Sequence, residues 1–228
     1  MTTTHSTMPS LADRKITFPN RFSIEEKKLA VKHSLLKQTF DFVFALCVTC
    51  LILSWLIPLI ALIIKLESKG PVLFKQLRTG KDGKPFYCLK FRSMCLNAAS
   101  DSKQASKNDN RITVVGAFLR KTSLDELPQF INVLRGEMSV VGPRPHMLQH
   151  TEQYAQVIHH YMERHQVLPG ITGLAQVAGH RGETKELETM AQRVNADMHY
   201  LRNWSFQLDV KIVCLTMVQA LKGSEKAC

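Results

Sequence analysis

One uninterrupted apolar segment dominates the hydrophobic pattern of this chain. Residues 42–64 read FVFALCVTCLILSWLIPLIALII and include no charged residue. As an α-helix, a segment of this length extends roughly 34 Å, enough to cross the hydrocarbon core of a bilayer. It starts too late and runs too long for a cleaved signal peptide. The pattern therefore predicts a membrane helix.

The charges on both sides of the segment bear on its topology. Seven Lys and Arg residues lie between positions 14 and 37, and eight more lie between positions 65 and 92. Basic flanks prefer the cytoplasmic side of a membrane. A helix that enters, breaks at Pro58 and returns keeps both clusters there, so we predict a re-entrant helix. A single span kinked at Pro58 is the alternative.

Beyond this helix the pattern predicts short strands and helices joined by Gly-rich segments. Apolar residues alternate on either side of the turn TGKDGKP, which is typical of a β-hairpin. Helical spacing follows, with Met190, Val194, Met198 and Leu201 on one face. We predict hairpin strands over 72–78 and 86–94, helices over 125–135, 147–166 and 184–221, a rigid turn over 140–145, and loops over 97–110 and 169–182.

The last apolar segment, 204–221, contains Asp209 and Lys211, two charges that disfavour a full span. We expect an interfacial helix with Trp204 at the headgroup level, and an amphipathic core helix is the alternative. The predicted class is α+β: one re-entrant helix and a compact helix-rich cytosolic domain with a small hairpin and interfacial helices. We divide the chain into a disordered tail 1–22, a basic lead-in and membrane helix 23–66, a main domain 67–222 and a C-terminal tail 223–228.

The composition is basic, with 30 Lys and Arg against 19 Asp and Glu, a formal net charge of +11. Such an excess suits nucleic acid, an anionic membrane surface or a phosphorylated substrate. No zinc-finger or RNP signature accompanies it and aromatic residues are 7 %, which disfavours nucleic acid. The six cysteines show no repeated spacing, so we expect reduced thiols. Cys47 and Cys50 lie within the apolar segment and favour packing over a metal site.

The adjacent acids Asp125 and Glu126 are the first candidates for chemistry. Ser123 and Glu126 match a capping box, but that register makes Pro128 the fifth helical residue, where it breaks a backbone bond. With Asp125 as N-cap, Pro128 is the third residue, where its missing N–H costs nothing. A helix mouth also favours phosphate. Capping and catalysis both remain open for Asp125.

Several basic residues are suited to phosphate. Arg120 lies five positions before Asp125, and Arg144 lies between two prolines that fix the backbone. Lys90 and Arg92 lie on the second predicted strand. Arginine offers a bidentate fork to phosphate oxygens and lysine a point charge, although each residue taken singly also fits an ordinary surface charge.

Three stretches in a fixed order carry a family resemblance. They are KGPVLFKQLRTGKDGKPFYCLKFRSM (69–94), TSLDELPQFINVLRGEMSVVGPRP (122–145) and LPGITGLAQVAGHRGE (168–183). Together they resemble the bacterial sugar transferase family, the monotopic phosphoglycosyl transferases that start capsule, exopolysaccharide and O-antigen assembly. The resemblance covers about residues 35–222. Residues 193–216 resemble members that use UDP-glucose or UDP-galactose, and the chain resembles the minimal catalytic form rather than larger relatives with four extra N-terminal membrane helices.

The resemblance implies roles for particular residues. Asp125 would be the nucleophile, and Asp125 and Glu126 would hold Mg²⁺. The phosphate-binding basic residues would be Lys90, Arg120 and Arg144, and residues 67–222 would form the catalytic domain. The family's membrane helix usually breaks at Ser-Pro, whereas this chain has Ile57-Pro58, with Ser54 one turn earlier as a substitute donor to a freed carbonyl.

The reaction implied is transfer of glucose-1-phosphate or galactose-1-phosphate from a UDP-sugar to undecaprenyl phosphate. It would pass through a phosphosugar–aspartate intermediate and release UMP at the cytoplasmic face of the bacterial inner membrane. The implied partners are the donor, the lipid acceptor and membrane lipids, without nucleic acid, and a homodimer is left open. Alternatives are an N-acetylated donor sugar, a non-catalytic membrane scaffold, or a membrane-tethered nucleic-acid binder.

Overall fold

The computed structural model describes residues 34–95, 109–180, 182 and 187–222. The predicted tails 1–22 and 223–228 lie outside these residues, as does nearly all of the predicted loop 97–110.

A single long helix begins the described chain. It consists of α1 (Leu35–Val48), a π-helical turn (Thr49–Leu53) and α2 (Ser54–Glu67). Its first turn is capped by Ser34, whose hydroxyl accepts a hydrogen bond from the backbone N–H of Lys37 at 3.2 Å. Within the described residues, this is the helix long and apolar enough to cross a membrane.

The chain stays helical through Pro58 and continues to Glu67, so the interruption expected at Pro58 is not found there. The departure from α-helical geometry lies one turn earlier, in the π-helical turn Thr49–Leu53. A π turn widens the helix and shifts its hydrogen-bond pattern. The irregular segment of the helix therefore precedes Pro58 in the sequence.

Two side chains supply donors to the widened turn. The Ser54 hydroxyl donates to the Cys50 carbonyl at 2.7 Å, and the Trp55 indole N–H donates to the Leu51 carbonyl at 2.9 Å. Ser54 therefore does act on a backbone carbonyl, as expected. The carbonyl it reaches is that of the π turn, four residues before it, and not the one that Pro58 leaves without a donor.

The N-terminal part of the helix is attached to the domain by buried charge. Lys37 Nζ lies 2.9 Å from Asp209 Oδ2 and also donates to the Val141 carbonyl. Asp41 accepts hydrogen bonds from Ser139 Oγ at 2.7 Å and from the Val140 backbone N–H at 3.0 Å. We call Lys37, Asp41 and Asp209 the anchor cluster.

The C-terminal end of the helix is attached to the same domain elsewhere. The buried Arg92 guanidinium donates to the carbonyls of Ser68 at 2.7 Å and Lys69 at 2.6 Å. Ile64 packs in a second apolar cluster with Phe91 and Leu119. These contacts tie the end of the apolar helix to the strand before Arg92.

The predicted hairpin is confirmed. Strands β1 (Leu73–Thr79) and β2 (Pro85–Phe91) pair antiparallel, with Leu73 opposite Phe91. The turn between them has Asp82 at φ 53°, a left-handed conformation that Asp tolerates better than most residues.

A second strand pair was not predicted. Strand β3 (Ser139–Val141) pairs in parallel with β4 (Gly170–Thr172), and the short helix α6 (Leu174–Val177) follows. The segment 169–182, predicted as a loop, therefore contains a strand and a helix. Three-residue strands are too short to show an alternating pattern.

The glycines of this region allow close backbone approach. A Cβ atom at Gly170 would lie 2.1 Å from the Gly142 nitrogen, and one at Gly173 would lie 2.2 Å from the Gly142 oxygen. Side chains cannot be accommodated at these distances. The Gly-rich motifs around positions 142 and 170 are therefore requirements of two chain segments that cross in contact.

Six α-helices complete the described domain. They are α3 (Val114–Lys121), α4 (Gln129–Leu134), α5 (Leu148–Val157), α6, α7 (Leu187–Arg202) and α8 (Phe206–Lys222).

The predicted helix boundaries are only partly right. The predicted helix 147–166 is split at His160, which has φ 62°, into α5 and a 3₁₀ segment, Tyr161–Gln166. The apolar face predicted for the segment that forms α7 is confirmed as buried.

Helix α8 has two faces. Asp209 and Ile212 are buried against the core, while Val210 and Met217 are exposed. The indole N–H of Trp204, just before the helix, donates to Asp209 Oδ2 at 3.0 Å. The helix thus packs on the core along one side and leaves apolar side chains on the other.

Candidate active site

A cavity of about 350 Å³ lies beside the acidic pair. Its wall has a polar part and an apolar part, and most of the apolar part comes from α1, α4, α8, β3 and β4. The polar part includes Arg120, Asp125, Glu126, Arg144, Gln176 and Arg193, and the apolar part includes Phe44, Leu127, Phe130, Val140, Ile171, Val213, Met217 and Ala220.

The acidic pair lies in a single 3₁₀ turn, Leu124–Glu126, between α3 and α4. Ser123, at φ 59°, reverses the chain before the turn, and its side chain makes no capping bond. The N-cap of α4 is Pro128, so Asp125 is not a helix cap. Neither capping register expected from the sequence is formed, because a tight turn separates the acids from the helix.

Asp125 is buried without a hydrogen-bond donor. Its side chain is 7 % exposed, and no described residue donates a hydrogen bond to its carboxylate. Burial, with a smaller contribution from the Glu126 charge, raises its pKa from 3.8 to about 6, against the opposing effect of Lys90 and nearby arginines. The carboxyl group is therefore mostly ionised at neutral pH, and it lines the cavity.

Glu126, the next residue, is in the opposite situation. Lys90 Nζ lies 2.7 Å from its Oε1. Arg144 donates to both carboxylate oxygens, from Nη2 to Oε1 at 2.6 Å and from Nη1 to Oε2 at 3.1 Å. Burial raises its pKa, but the charges and hydrogen bonds of Arg144 and Lys90 outweigh burial and hold the pKa well below the ordinary value. The same contact raises the pKa of Arg144.

The three predicted phosphate-binding residues come from three different elements. Lys90 lies on β2, Arg120 on α3, and Arg144 in the loop after β3. All three lie close enough to Asp125 to lower its pKa. Each lies beside the acidic pair, although they are separated by up to 54 positions in the sequence.

Arg92, considered alongside Lys90 in the sequence, lies elsewhere. It follows β2, and its guanidinium donates to carbonyls at the end of the apolar helix. Two positions along the chain therefore separate Lys90, which pairs with Glu126, from a residue that caps a helix terminus.

The loop that carries Arg144 is fixed on both sides. Arg164, fully buried and paired with Asp197 at 2.6 Å, donates to the Arg144 carbonyl at 2.9 Å. Arg78 donates to the Pro145 carbonyl at 2.9 Å. These contacts, together with the flanking prolines, hold the Arg144 backbone in place before any ligand arrives.

Sequence reasoning missed two cavity residues, Gln176 and Arg193. Gln176 lies in a segment that was expected to be a loop. Arg193 lies on α7 among the residues of the apolar face, where an arginine usually extends toward solvent. No local pattern marks either residue, because both reach the cavity through the packing of α6 and α7.

The residues present are compatible with magnesium, although no group of three or more His, Cys, Asp or Glu side chains converges within the described ranges. Mg²⁺ is commonly bound by one or two carboxylates together with substrate phosphates and water. The free carboxylate of Asp125, beside that of Glu126, fits this mode. Such a site is completed by the substrate rather than by the protein alone.

The chain is similar in sequence to known proteins. Residues 32–223 match the family described as bacterial sugar transferase. The UDP-glucose:undecaprenyl-phosphate glucose-1-phosphate transferases of Escherichia coli and Caulobacter vibrioides are 56 % and 50 % identical, over 80 % and 82 % of this chain. A UDP-N-acetylgalactosamine-undecaprenyl-phosphate N-acetylgalactosaminephosphotransferase of Aeromonas hydrophila is 45 % identical over 72 % of the chain.

The matches cover different shares of these relatives. The matched region is 39 % of the E. coli protein, 70 % of the C. vibrioides protein and 38 % of the A. hydrophila protein. The family match covers all of the described residues, including the acidic pair and the three basic residues beside it. The chain belongs to the bacterial sugar transferase family.

Proposed function

We propose that this chain transfers a sugar-1-phosphate from a UDP-sugar to undecaprenyl phosphate, with Asp125 as the nucleophile. The observation that carries the proposal is the state of Asp125, a buried carboxylate without hydrogen-bond donors in a cavity that also holds Arg120 and Arg144. A nucleophilic carboxylate needs free oxygens and a setting that draws in phosphate.

In the first half-reaction, an Asp125 carboxylate oxygen attacks the sugar-bearing phosphorus of the donor. An aspartyl–phosphate bond forms, the phosphoanhydride bond breaks, and its electron pair leaves with UMP. Lys90, Arg120 and Arg144 offset the repulsion between carboxylate and phosphate. Mg²⁺, held by Asp125 and Glu126 with the donor phosphates, would supply further charge neutralisation for the leaving group.

In the second half-reaction, a phosphate oxygen of the lipid attacks the phosphorus of the aspartyl phosphosugar. The acyl phosphate bond breaks, Asp125 is restored as a carboxylate, and the product is a polyprenyl-diphosphate sugar. Glu126 remains ionised throughout, since Lys90 and Arg144 stabilise its charge. Two successive displacements at phosphorus, with Asp125 bound covalently to the sugar phosphate between them, imply ping-pong kinetics.

The attachment of the apolar helix supports a re-entrant placement in the cytoplasmic leaflet. Its N-terminal part is fixed to the domain by Lys37, and its end is fixed by Arg92. A helix that crossed the bilayer would place these two attachments on opposite faces, since about 33 residues extend roughly 50 Å. A helix that is attached to one domain at both ends keeps both attachments on the same face of the membrane, where the acceptor phosphate lies.

The relatives support UDP-glucose as the donor. The two glucose-1-phosphate transferases are 56 % and 50 % identical to the chain, against 45 % for the N-acetylgalactosamine relative. An N-acetylated donor is the second candidate because that relative shares the same region.

UMP release from UDP-glucose tests the proposal. The protein is reconstituted with and without undecaprenyl phosphate, with Mg²⁺ present, as wild type, Asp125→Asn, and Asp82→Asn, an exposed control. We expect multiple turnovers only with the acceptor, loss of at least about 10³-fold in Asp125→Asn, and no loss in the control. If UDP-glucose fails and another UDP-sugar works, the donor is wrong. If every donor fails while the lipid still binds, the scaffold function replaces the enzyme.

A further inference from the structure

Among the described residues, the cavity contains one cation, Arg193, that the proposed chemistry leaves unused. Arg193, on α7, is 5 % exposed and lines the cavity. Its Nη2 donates to the Gly182 carbonyl at 3.1 Å, and its Nε has no partner among the described residues. A buried guanidinium with an unused donor is costly unless a ligand completes it.

The neighbours of Arg193 increase this cost. Arg144 and Arg164 are close enough to repel it, and the nearby acid Asp197 is committed to Arg164 at 2.6 Å. Burial first, and then this repulsion, lower the pKa of Arg193 to about 10. Asp197 offsets only part of these effects on the pKa, and Arg193 still carries its charge at neutral pH, so the position favours a further anion.

Gln176, which also lines the cavity, has a second buried atom without a partner among the described residues. Its side chain is 4 % exposed, and its amide nitrogen donates to the Ile171 carbonyl at 3.0 Å. This bond fixes the amide, while Oε1 has no partner among the described residues. A phosphate monoester near neutral pH can satisfy both residues, since it offers charged oxygens to Arg193 and, when singly protonated, a P–OH to Gln176.

An apolar wall leads away from these residues. Phe44 of α1 and Val213 and Met217 of α8 line the cavity. Met217 is also 52 % exposed, on a helix that exposes Leu215 and Val218 as well. The wall therefore continues onto the apolar outer surface, a path suited to a hydrocarbon chain and unsuited to a nucleotide or sugar.

We propose that Arg193 and Gln176 form the subsite for the phosphate of the lipid acceptor, with its first prenyl units against Phe44, Val213 and Met217. The subsite is separate from the Lys90 and Arg144 pair on Glu126, which we assign to the donor. The inference rests on the proposed function. It adds the place from which the acceptor phosphate attacks.

Arg193→Gln tests the subsite, with Arg202→Gln as control because Arg202 is an exposed arginine on the same helix. Two quantities are measured: binding of undecaprenyl phosphate in nanodiscs, and the rate of single-turnover UMP release without acceptor. We expect Arg193→Gln to weaken lipid binding at least tenfold more than it slows UMP release. Arg193→Lys should recover part of the binding, and Arg202→Gln should match wild type.

The apolar wall gives an independent variant. Val213→Trp places a large side chain in the cavity at its apolar wall, whereas Val210→Trp places the same side chain on the exposed face of α8. We expect only Val213→Trp to weaken binding of undecaprenyl phosphate, by at least about fivefold, with UMP release in the absence of acceptor changed less.

Two outcomes overturn the subsite. Equal lipid binding by Arg193→Gln and Arg202→Gln removes the phosphate contact. A loss of single-turnover UMP release as large as the loss of lipid binding moves Arg193 to the donor or to the fold. Failure of the wild type to release UMP from any donor contradicts the proposed function instead, and the comparison of lipid binding still decides whether Arg193 contacts the acceptor.

Discussion

The anchor cluster of Lys37, Asp41 and Asp209 and the acidic pair of Asp125 and Glu126 both bury carboxylates, but under different conditions. In the anchor cluster every carboxylate oxygen has a donor. Asp209 accepts from Lys37 at 2.9 Å and from Tyr200 at 2.7 Å on its two oxygens, and Asp41 accepts from Ser139 and from a backbone N–H.

The acidic pair divides its partners unequally. Glu126 accepts hydrogen bonds from the Arg144 guanidinium and from the Lys90 ammonium group, whereas Asp125 accepts none from the described residues. Full satisfaction suits a cluster that holds an apolar helix against a domain. A buried carboxylate kept without donors lowers stability, and its free oxygens suit a nucleophile.

Asp209→Asn should break the anchor cluster and gives the largest expected effect on stability. Removing the Asp209 charge leaves the buried Lys37 with only the more distant Asp41 carboxylate, at 3.7 Å, as counter-charge, and breaking a buried ion pair typically costs about 3–5 kcal/mol. The measurement is the free energy of unfolding by denaturant in detergent, with Glu188→Gln as an exposed control. A loss below about 1 kcal/mol would show that the cluster does not hold the helix to the domain.

Arg144→Lys tests the other partner-rich acid, Glu126. Lysine keeps the charge but replaces a two-bond fork with one contact, so we expect UMP release to fall about 10–100-fold with a smaller change in stability. The control is Arg135→Lys, because Arg135 is an exposed arginine. Unchanged turnover in Arg144→Lys would show that the bidentate contact is not needed.

Asp125→Asn should stabilise the protein while it removes activity, which sharpens the contrast with the anchor cluster. Because the native pKa of Asp125, about 6, lies above 3.8, the folded state binds its proton more tightly than the unfolded state. The free energy of unfolding therefore falls as pH rises from about 4 to 6 and stays reduced above it.

About two pKa units correspond to about 3 kcal/mol, and burial of an amide without partners offsets part of that gain. We expect Asp125→Asn to be about 2 kcal/mol more stable than wild type at pH 7.5 and nearly equal at pH 4. Asp209→Asn should instead lose stability at pH 7.5, because both oxygens of Asp209 accept hydrogen bonds from buried partners. Equal destabilisation by both substitutions would contradict the distinction between the two carboxylates.

The sequence predicts features that depend on local pattern or on a specific motif. The hairpin followed from alternation around a Gly-rich turn, and it is confirmed. The motifs singled out Asp125, Glu126, Arg120 and Arg144, which the fold brings to one cavity, and Lys90, which pairs with Glu126 beside it.

Features made by distant contacts could not be predicted in this way. The Lys37–Asp209 ion pair joins residues 172 positions apart; in the sequence, Lys37 is one of several basic residues before the long apolar segment and Asp209 is one of two charges within the last one. No sequence pattern singled out Arg193, which packing places against the cavity. The π turn before Pro58 depends on two side-chain donors, Ser54 and Trp55, whose effect on helix geometry no periodicity shows.

The central claim, that Asp125 forms a covalent bond to the sugar phosphate, is tested most directly by intact-protein mass spectrometry after incubation with UDP-glucose and Mg²⁺ but without lipid acceptor. We predict that wild type gains the mass of one hexose phosphate, that undecaprenyl phosphate removes it, and that Asp125→Asn never acquires it. A wild-type protein that turns over with acceptor yet shows sequential kinetics and no adduct, even after rapid quenching, would contradict the claim.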